Sequence, residues 1–175
     1  MLRVMGAVTN APHLEAGPND TNGPEFLIPK DAVDHTETMR IPLPIPENSD
    51  VRIWGVLPHM HYVGTQILAV IERENAETGE PEDSCLVHVP RWDFNYQYFY
   101  LYDLPMEDLP PLLPGDDLLI RCTYTNNTSE NSRLASAISQ DPLIRETKEV
   151  KVGEETLDEM CAVLIGISFP NAGDK

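Results

Sequence analysis

Two of the chain's five histidines stand two residues apart, in Leu57-Pro58-His59-Met60-His61-Tyr62-Val63-Gly64. On an extended strand, side chains at i and i+2 leave from one face, about 7 Å apart along the backbone. Two neutral imidazole nitrogens converging on one point make half of a transition-metal site, and imidazole suits copper and zinc. A third ligand is offered about a hundred positions later by Met160, in Thr156-Leu157-Asp158-Glu159-Met160-Cys161. A thioether is a soft donor that favours Cu(I) and binds zinc, calcium or magnesium poorly. The set His59, His61 and Met160 therefore points to copper, and to a copper that spends part of its time reduced. Taken singly, the histidine pair reads more often as structural, and a methionine as core filling. His13, His35 and His88 are isolated and receive no role, although His35 could sit at the surface or behind a site. The acids Glu154, Glu155, Asp158 and Glu159 read as a solvated loop that could also raise the local affinity for a cation.

The elements that must position these ligands are strands. Sixteen prolines are scattered along the chain, and they cut it into short extended pieces. Residues 1–35 are expected to be an irregular lead-in, and 36–175 a single domain. Within it, Thr36–Ile45 alternates apolar side chains at Met39, Ile41, Leu43 and Ile45, but Pro42 and Pro44 confine it to an edge. Val51–Leu57 runs into the histidine pair, and Thr65–Glu72 reads as a buried strand. Cys85–Val89, Leu118–Thr125 (after the turn Pro114-Gly115-Asp116-Asp117) and Cys161–Phe169 complete the set. Residues 133–150 show no usable pattern, and no window supports a helix longer than about three turns. The expected fold is all-β, an antiparallel β-sandwich of jelly-roll type.

Trp92, Phe94, Tyr96, Tyr98, Tyr100 and Tyr102 occupy every even position of one segment. On a strand they would share a face. That face would be either an aromatic layer of the core or the wall of a substrate pocket.

The chain carries 29 acidic and 12 basic side chains, a net charge of −17. The acids are spread along its length. Such a surface repels nucleic acid and anionic membrane, so neither is expected as a partner. No run approaches the ~18 apolar residues of a membrane span, and Met1–Ala7 turns polar too soon for a signal peptide. Three cysteines, Cys85, Cys122 and Cys161, allow one intrachain bridge and leave one thiol.

Three motifs now fall in order: His59-Met60-His61-Tyr62-Val63-Gly64, then Gly115-Asp116 leading into Arg121-Cys122-Thr123-Tyr124-Thr125, then Asp158-Glu159-Met160-Cys161. Together they resemble the C-terminal domain of the copper type II, ascorbate-dependent monooxygenases, which include peptidylglycine α-hydroxylating monooxygenase and dopamine β-monooxygenase. The resemblance implies that His59, His61 and Met160 ligate the copper that binds dioxygen and hydroxylates a C–H bond, with ascorbate as reductant. It implies a Cys122–Cys161 disulfide, with Cys85 free, and hence an extracellular or periplasmic setting. It also implies a missing half, because the family holds a second copper on a His-His pair in another domain. This chain has no adjacent histidines, so a separate or upstream copper domain is expected as a partner.

The departures bear on substrate. Leu57 stands where the peptide-amidating branch has a carboxylate-gripping arginine. Ala162 and Leu164 stand where that branch has asparagine and tyrosine, so a peptide C-terminal carboxylate is not the expected small-molecule substrate. Met60, between the two histidines, is expected to pack in the core. The leading expectation is thus the catalytic-copper half of a monooxygenase, inactive in isolation. The alternatives are a non-catalytic copper-binding module for storage or transfer, and a β-sandwich interaction domain without metal.

Overall fold

Strand formation follows the alternation of apolar side chains. β9 (Asp117–Tyr124) buries Leu118, Ile120, Cys122 and Tyr124 and turns Arg121 outward. It lies between β3 (His35–Pro42) and β5 (Gly64–Glu72), and β6 (Ser84–Val89) completes that sheet in the order β3-β9-β5-β6. All three pairings are antiparallel. Among the described strands β3 pairs only with β9, with an isolated bridge from Leu14 to Met39 on its other side, so the proline at its end, Pro42, stands at a sheet edge, where a missing N–H costs little.

The second sheet runs β1 (Leu2–Val8), β11 (Ala162–Ser168), β4 (Val51–His59) and β7 (Tyr100–Leu101), with β8 (Pro111–Leu112) also on β4. These pairings are antiparallel too. β2 (Leu27–Ile28) and β10 (Val150–Lys151) form a small antiparallel ribbon. This computed structural model describes residues 2–8, 14–15, 24–75, 77–140, 147–155 and 157–169.

The two larger sheets share one core. Ile53, Val56, Val163 and Ile165 from one meet Met39, Ile67, Ile71 and Ile120 from the other in a single buried cluster. The protein is therefore an all-β, antiparallel sandwich, as the proline-punctuated strand pattern predicts. A disulfide between Cys122 on β9 and Cys161 just before β11 ties one sheet to the other, with the Cα atoms 5.8 Å apart. Cys85 is a free, exposed thiol.

Two expectations need correction, and a stretch without a usable pattern can now be placed. The lead-in is not irregular at its start, since Leu2–Val8 add a full strand to β11. The unpatterned stretch contains one short helix, α1 (Ser132–Gln140). Asn131 caps it by accepting the Leu134 N–H at 3.1 Å, and only Leu134 is buried. A nine-residue helix with one anchor leaves too little periodicity to read.

The aromatic stripe is not a strand. Phe94–Tyr96 form a 3-10 turn, and β7 holds only two residues. Asp93 starts the turn by accepting the Asn95 N–H, a local bond that competes with a sheet ladder. The stripe is no core layer either, since Trp92 is buried but Tyr96, Tyr98 and Tyr100 are 62%, 57% and 44% exposed. Among the described residues, no helix is long and apolar enough to cross a membrane.

Candidate metal centre

β4 ends at His59, and His61 lies just beyond it, in the turn that leads to β5. The two rings come together with centroids 5.1 Å apart and planes at 85°. Met60 between them is fully buried, as expected of a residue that packs inward. Its packing explains the glycine of the motif. A Cβ on Gly64 would lie 2.9–3.0 Å from Met60 side-chain atoms, so only glycine lets the chain close over that methionine.

Each imidazole has its Nδ1 engaged. His61 Nδ1 is 2.9 Å from the carbonyl oxygen of Asp158, and a carbonyl can only accept, so Nδ1 carries the proton. His59 Nδ1 meets Gln97 Oε1. The orientation of that amide is set by its other end, because Gln97 Nε2 donates to the Phe94 carbonyl at 2.8 Å. His59 Nδ1 is therefore the donor as well. Both rings keep a lone pair on Nε2, the tautomer that a metal requires. Burial lowers the His59 pKa; its bond to Gln97 opposes that shift, and the neighbouring His61 adds to it. The neutral ligand form is favoured in consequence.

The turn carrying His61 is held by Glu159. This carboxylate is fully buried and accepts four backbone N–H groups. Oε2 takes His61 at 2.8 Å and Met160 at 3.0 Å, and Oε1 takes Val63 at 2.8 Å and Gly64 at 3.0 Å. Burial pushes its pKa up to about 7, against the four N–H groups, which favour the ionised form. Glu159 is thus not part of a solvated loop, whereas Glu154 and Glu155 are exposed.

Met160 is half-buried and its backbone is fixed on both sides. Its N–H goes to Glu159, and its carbonyl accepts the Tyr124 hydroxyl at 3.0 Å. Cys161 follows, clamped to Cys122. Ala162, two residues after Met160, is the cross-strand partner of His59. The structure so brings the Asp158–Cys161 segment onto the histidine turn, from the far end of the chain.

The split aromatic segment completes the surroundings. Trp92 Nε1 donates to the His61 carbonyl at 3.1 Å. Phe94 stands edge-on to the His61 ring at 6.0 Å and packs against Tyr62 at 4.5 Å. The Asn131 cap of α1 also reaches this turn, donating from Nδ2 to the Tyr62 carbonyl at 3.2 Å. Of these residues, Trp92 and Phe94 were flagged by the stripe. Gln97 and the true role of Glu159 were not, since a lone glutamine or glutamate carries no periodic signal.

The other histidines lie apart from this pair or outside the described residues. His35 Nε2 pairs with buried Glu37 at 2.9 Å, and His88 is exposed beside Gln66. His13 is among the residues not described.

Residues 27–142 match the family described as copper type II ascorbate-dependent monooxygenase, C-terminal domain. The chain belongs to that family. The match covers about two thirds of the sequence and includes His59, His61, Gln97 and Cys122. It stops before Met160, so the match does not include that residue. No curated protein matches the chain.

The donor set fits copper. Two imidazoles in the lone-pair tautomer suit it, and a thioether, which Met160 carries on the segment tied to the histidine turn, is a donor type that suits its reduced form. Among the described residues, no group of three His, Cys, Asp or Glu side chains is placed to hold a metal ion.

Proposed function

We propose that this chain is the catalytic-copper domain of a C–H hydroxylating monooxygenase, with His59, His61 and Met160 as the metal ligands. The observation that carries the reading is the paired tautomer control. Asp158 O holds the Nδ1 proton of His61, and Gln97 Oε1 holds that of His59. A structural histidine pair has no need for both Nε2 lone pairs to be left available. Family membership adds that the metal is copper and the reductant ascorbate.

Bound copper would supply dioxygen binding and C–H oxidation. The chain's own residues do the rest. Gln97 and Asp158 orient the rings, Glu159 fixes the turn, and Trp92 and Phe94 shield His61 on one side. Hydroxylation turns R–H, O2, two electrons and two protons into R–OH and water. A single reduced copper held here would supply one of these electrons. The second must come from outside this chain, which has no His-His pair to hold another copper. A copper domain elsewhere in the protein or on a partner meets that need. The inter-sheet disulfide supports an oxidising compartment as the working location.

The test is copper stoichiometry and affinity on the purified chain and on His59→Ala and Met160→Ala. One copper is expected. His59→Ala should weaken both oxidation states, and Met160→Ala should weaken Cu(I) more than Cu(II). Oxygen consumption with ascorbate should stay at background for the chain alone. Unchanged binding in both variants would overturn the ligand set. Multiple turnovers by the chain alone would overturn the half-enzyme reading. A copper-loaded chain that stays inert with an electron-supplying copper domain would favour storage or transfer.

A further inference from the structure

The face of the β4–β11 pair that carries His59 holds a second feature. In an antiparallel pair, residues directly opposite one another share a face. Ala162 lies opposite His59, Leu164 opposite Leu57, and Gly166 opposite Gly55. The intervening residues, Val56, Pro58, Val163 and Ile165, point the other way and are buried. Leu57 and Leu164 are only half-buried, so their face lies outside the sandwich.

At the far end of this strip both strands carry glycine. A Cβ on Gly166 would come within 2.5 Å of the Trp54 ring, and one on Gly55 within 2.5 Å of Phe99. Trp54 and Phe99 are stacked on each other, with centroids 5.0 Å apart. The missing side chains let this aromatic pair lie flat against the sheet. A strip so results that starts at His59, passes the leucine pair, and ends at an aromatic shelf about 13 Å away, four residues along the strand.

We propose that this strip is the substrate platform, and that the substrate is a neutral, apolar molecule lying between His59 and the Trp54–Phe99 stack. The proposal rests on the copper reading of His59, His61 and Met160. None of Leu57, Ala162, Leu164, Trp54 and Phe99 bears a charge. A carboxylate or ammonium placed on the leucine pair would give up water for no ionic partner there. An aliphatic or aromatic body would instead cover the leucines and rest on the stacked rings. The strip limits length as well, since a body reaching from the metal to the shelf spans about 13 Å.

The test uses three molecules of similar size: propylbenzene (neutral), phenethylamine (cationic) and phenylpropanoate (anionic). Binding to the purified chain is followed by backbone amide shifts, a readout that needs no turnover. Propylbenzene is expected to bind at least tenfold more tightly than either ion, with shifts on Leu57, Leu164 and Gly166. Leu57→Arg should weaken propylbenzene at least tenfold and make phenylpropanoate the better ligand. Leu164→Gln, on the opposite strand, should weaken propylbenzene while leaving the ions unchanged.

Equal binding of the three, tighter binding of an ion, no binding of any, or shifts confined to another face would overturn the proposal. So would propylbenzene binding that neither variant alters. Copper uptake is measured on the same samples. Strip binding without copper uptake would support the platform while overturning the metal reading. Copper uptake without a preference for the neutral probe would do the reverse.

Discussion

The backbone N–H of His61 donates to Glu159 Oε2 at 2.8 Å, across 98 positions of sequence. The same carboxylate takes the N–H groups of Val63, Gly64 and Met160. One buried side chain thereby ties the turn bearing His61 to Met160, two of the residues proposed as ligands. Its two oxygens accept two N–H groups each, which no other side chain of that size can reproduce.

Glu159→Gln should for that reason not act as a conservative change. The amide nitrogen would face two N–H donors with nothing to offer them, and each buried unsatisfied group costs about 1–3 kcal/mol. A loss of about 2 kcal/mol or more is expected in urea unfolding of the oxidised chain, together with weaker copper binding. A loss too small to resolve would show that the turn holds its shape without the carboxylate.

Gln97→Leu should separate metal affinity from stability. The leucine removes the acceptor that holds the Nδ1 proton of His59. Loss of such a group behind a ligand typically lowers metal affinity about 10–100-fold. The urea midpoint should move little, because Gln97 is a loop residue that is only half-buried. Wild-type copper affinity in this variant would mean that the amide has no part in orienting the ring.

The bridge from Cys122 to Cys161 closes a separation of 39 residues. On the chain-entropy account it should contribute about 4 kcal/mol. Cys122→Ser with Cys161→Ser should therefore lower stability by about that amount, with a further loss in copper affinity as the Met160 segment loosens. Peptide mapping without reductant should find this linkage and an unmodified Cys85. A linkage through Cys85 would contradict it.

Alkaline pH should unfold the protein through its tyrosines. Burial pushes the Tyr102 hydroxyl up to about 12, and burial also holds Tyr124 well above its ordinary value of 10. The folded state favours the neutral phenol in both cases. The contribution from Tyr102 is then complete below pH 10 and is lost as pH rises towards about 12. Stability measured at pH 9, 10 and 11 should fall over this window, and Tyr102→Phe should flatten the fall. An equal decline in the variant would place the effect elsewhere. The hydroxyl also donates to the Leu86 carbonyl at 2.8 Å, so the variant should start from a lower stability at neutral pH.

The sandwich was legible in the sequence because strand identity depends on a two-residue period and on where proline can stand. Both are local properties. β5, β6, β9 and β11 fall where alternation predicts them, and the proline-bearing β3 falls at an edge. The histidine pair and the Glu-Met-Cys segment could be singled out from residue type and order, and Met60 as a core residue from its place between the two histidines.

Tertiary structure alone decided the rest, since it depends on contacts between distant positions. Glu159 looks like one acid among four until burial leaves it to gather the N–H groups of a turn nearly a hundred residues away. The even-numbered aromatics have the period of a strand, but Asp93 starts a turn that redirects them, so Trp92 and Gln97 reach the histidines while Tyr96 and Tyr98 face solvent. The strip beside His59 exists only through the register that sets Leu57 against Leu164 and Gly55 against Gly166. A one-residue slip would turn those side chains to the opposite face of the sheet, and nothing within either strand alone specifies that register.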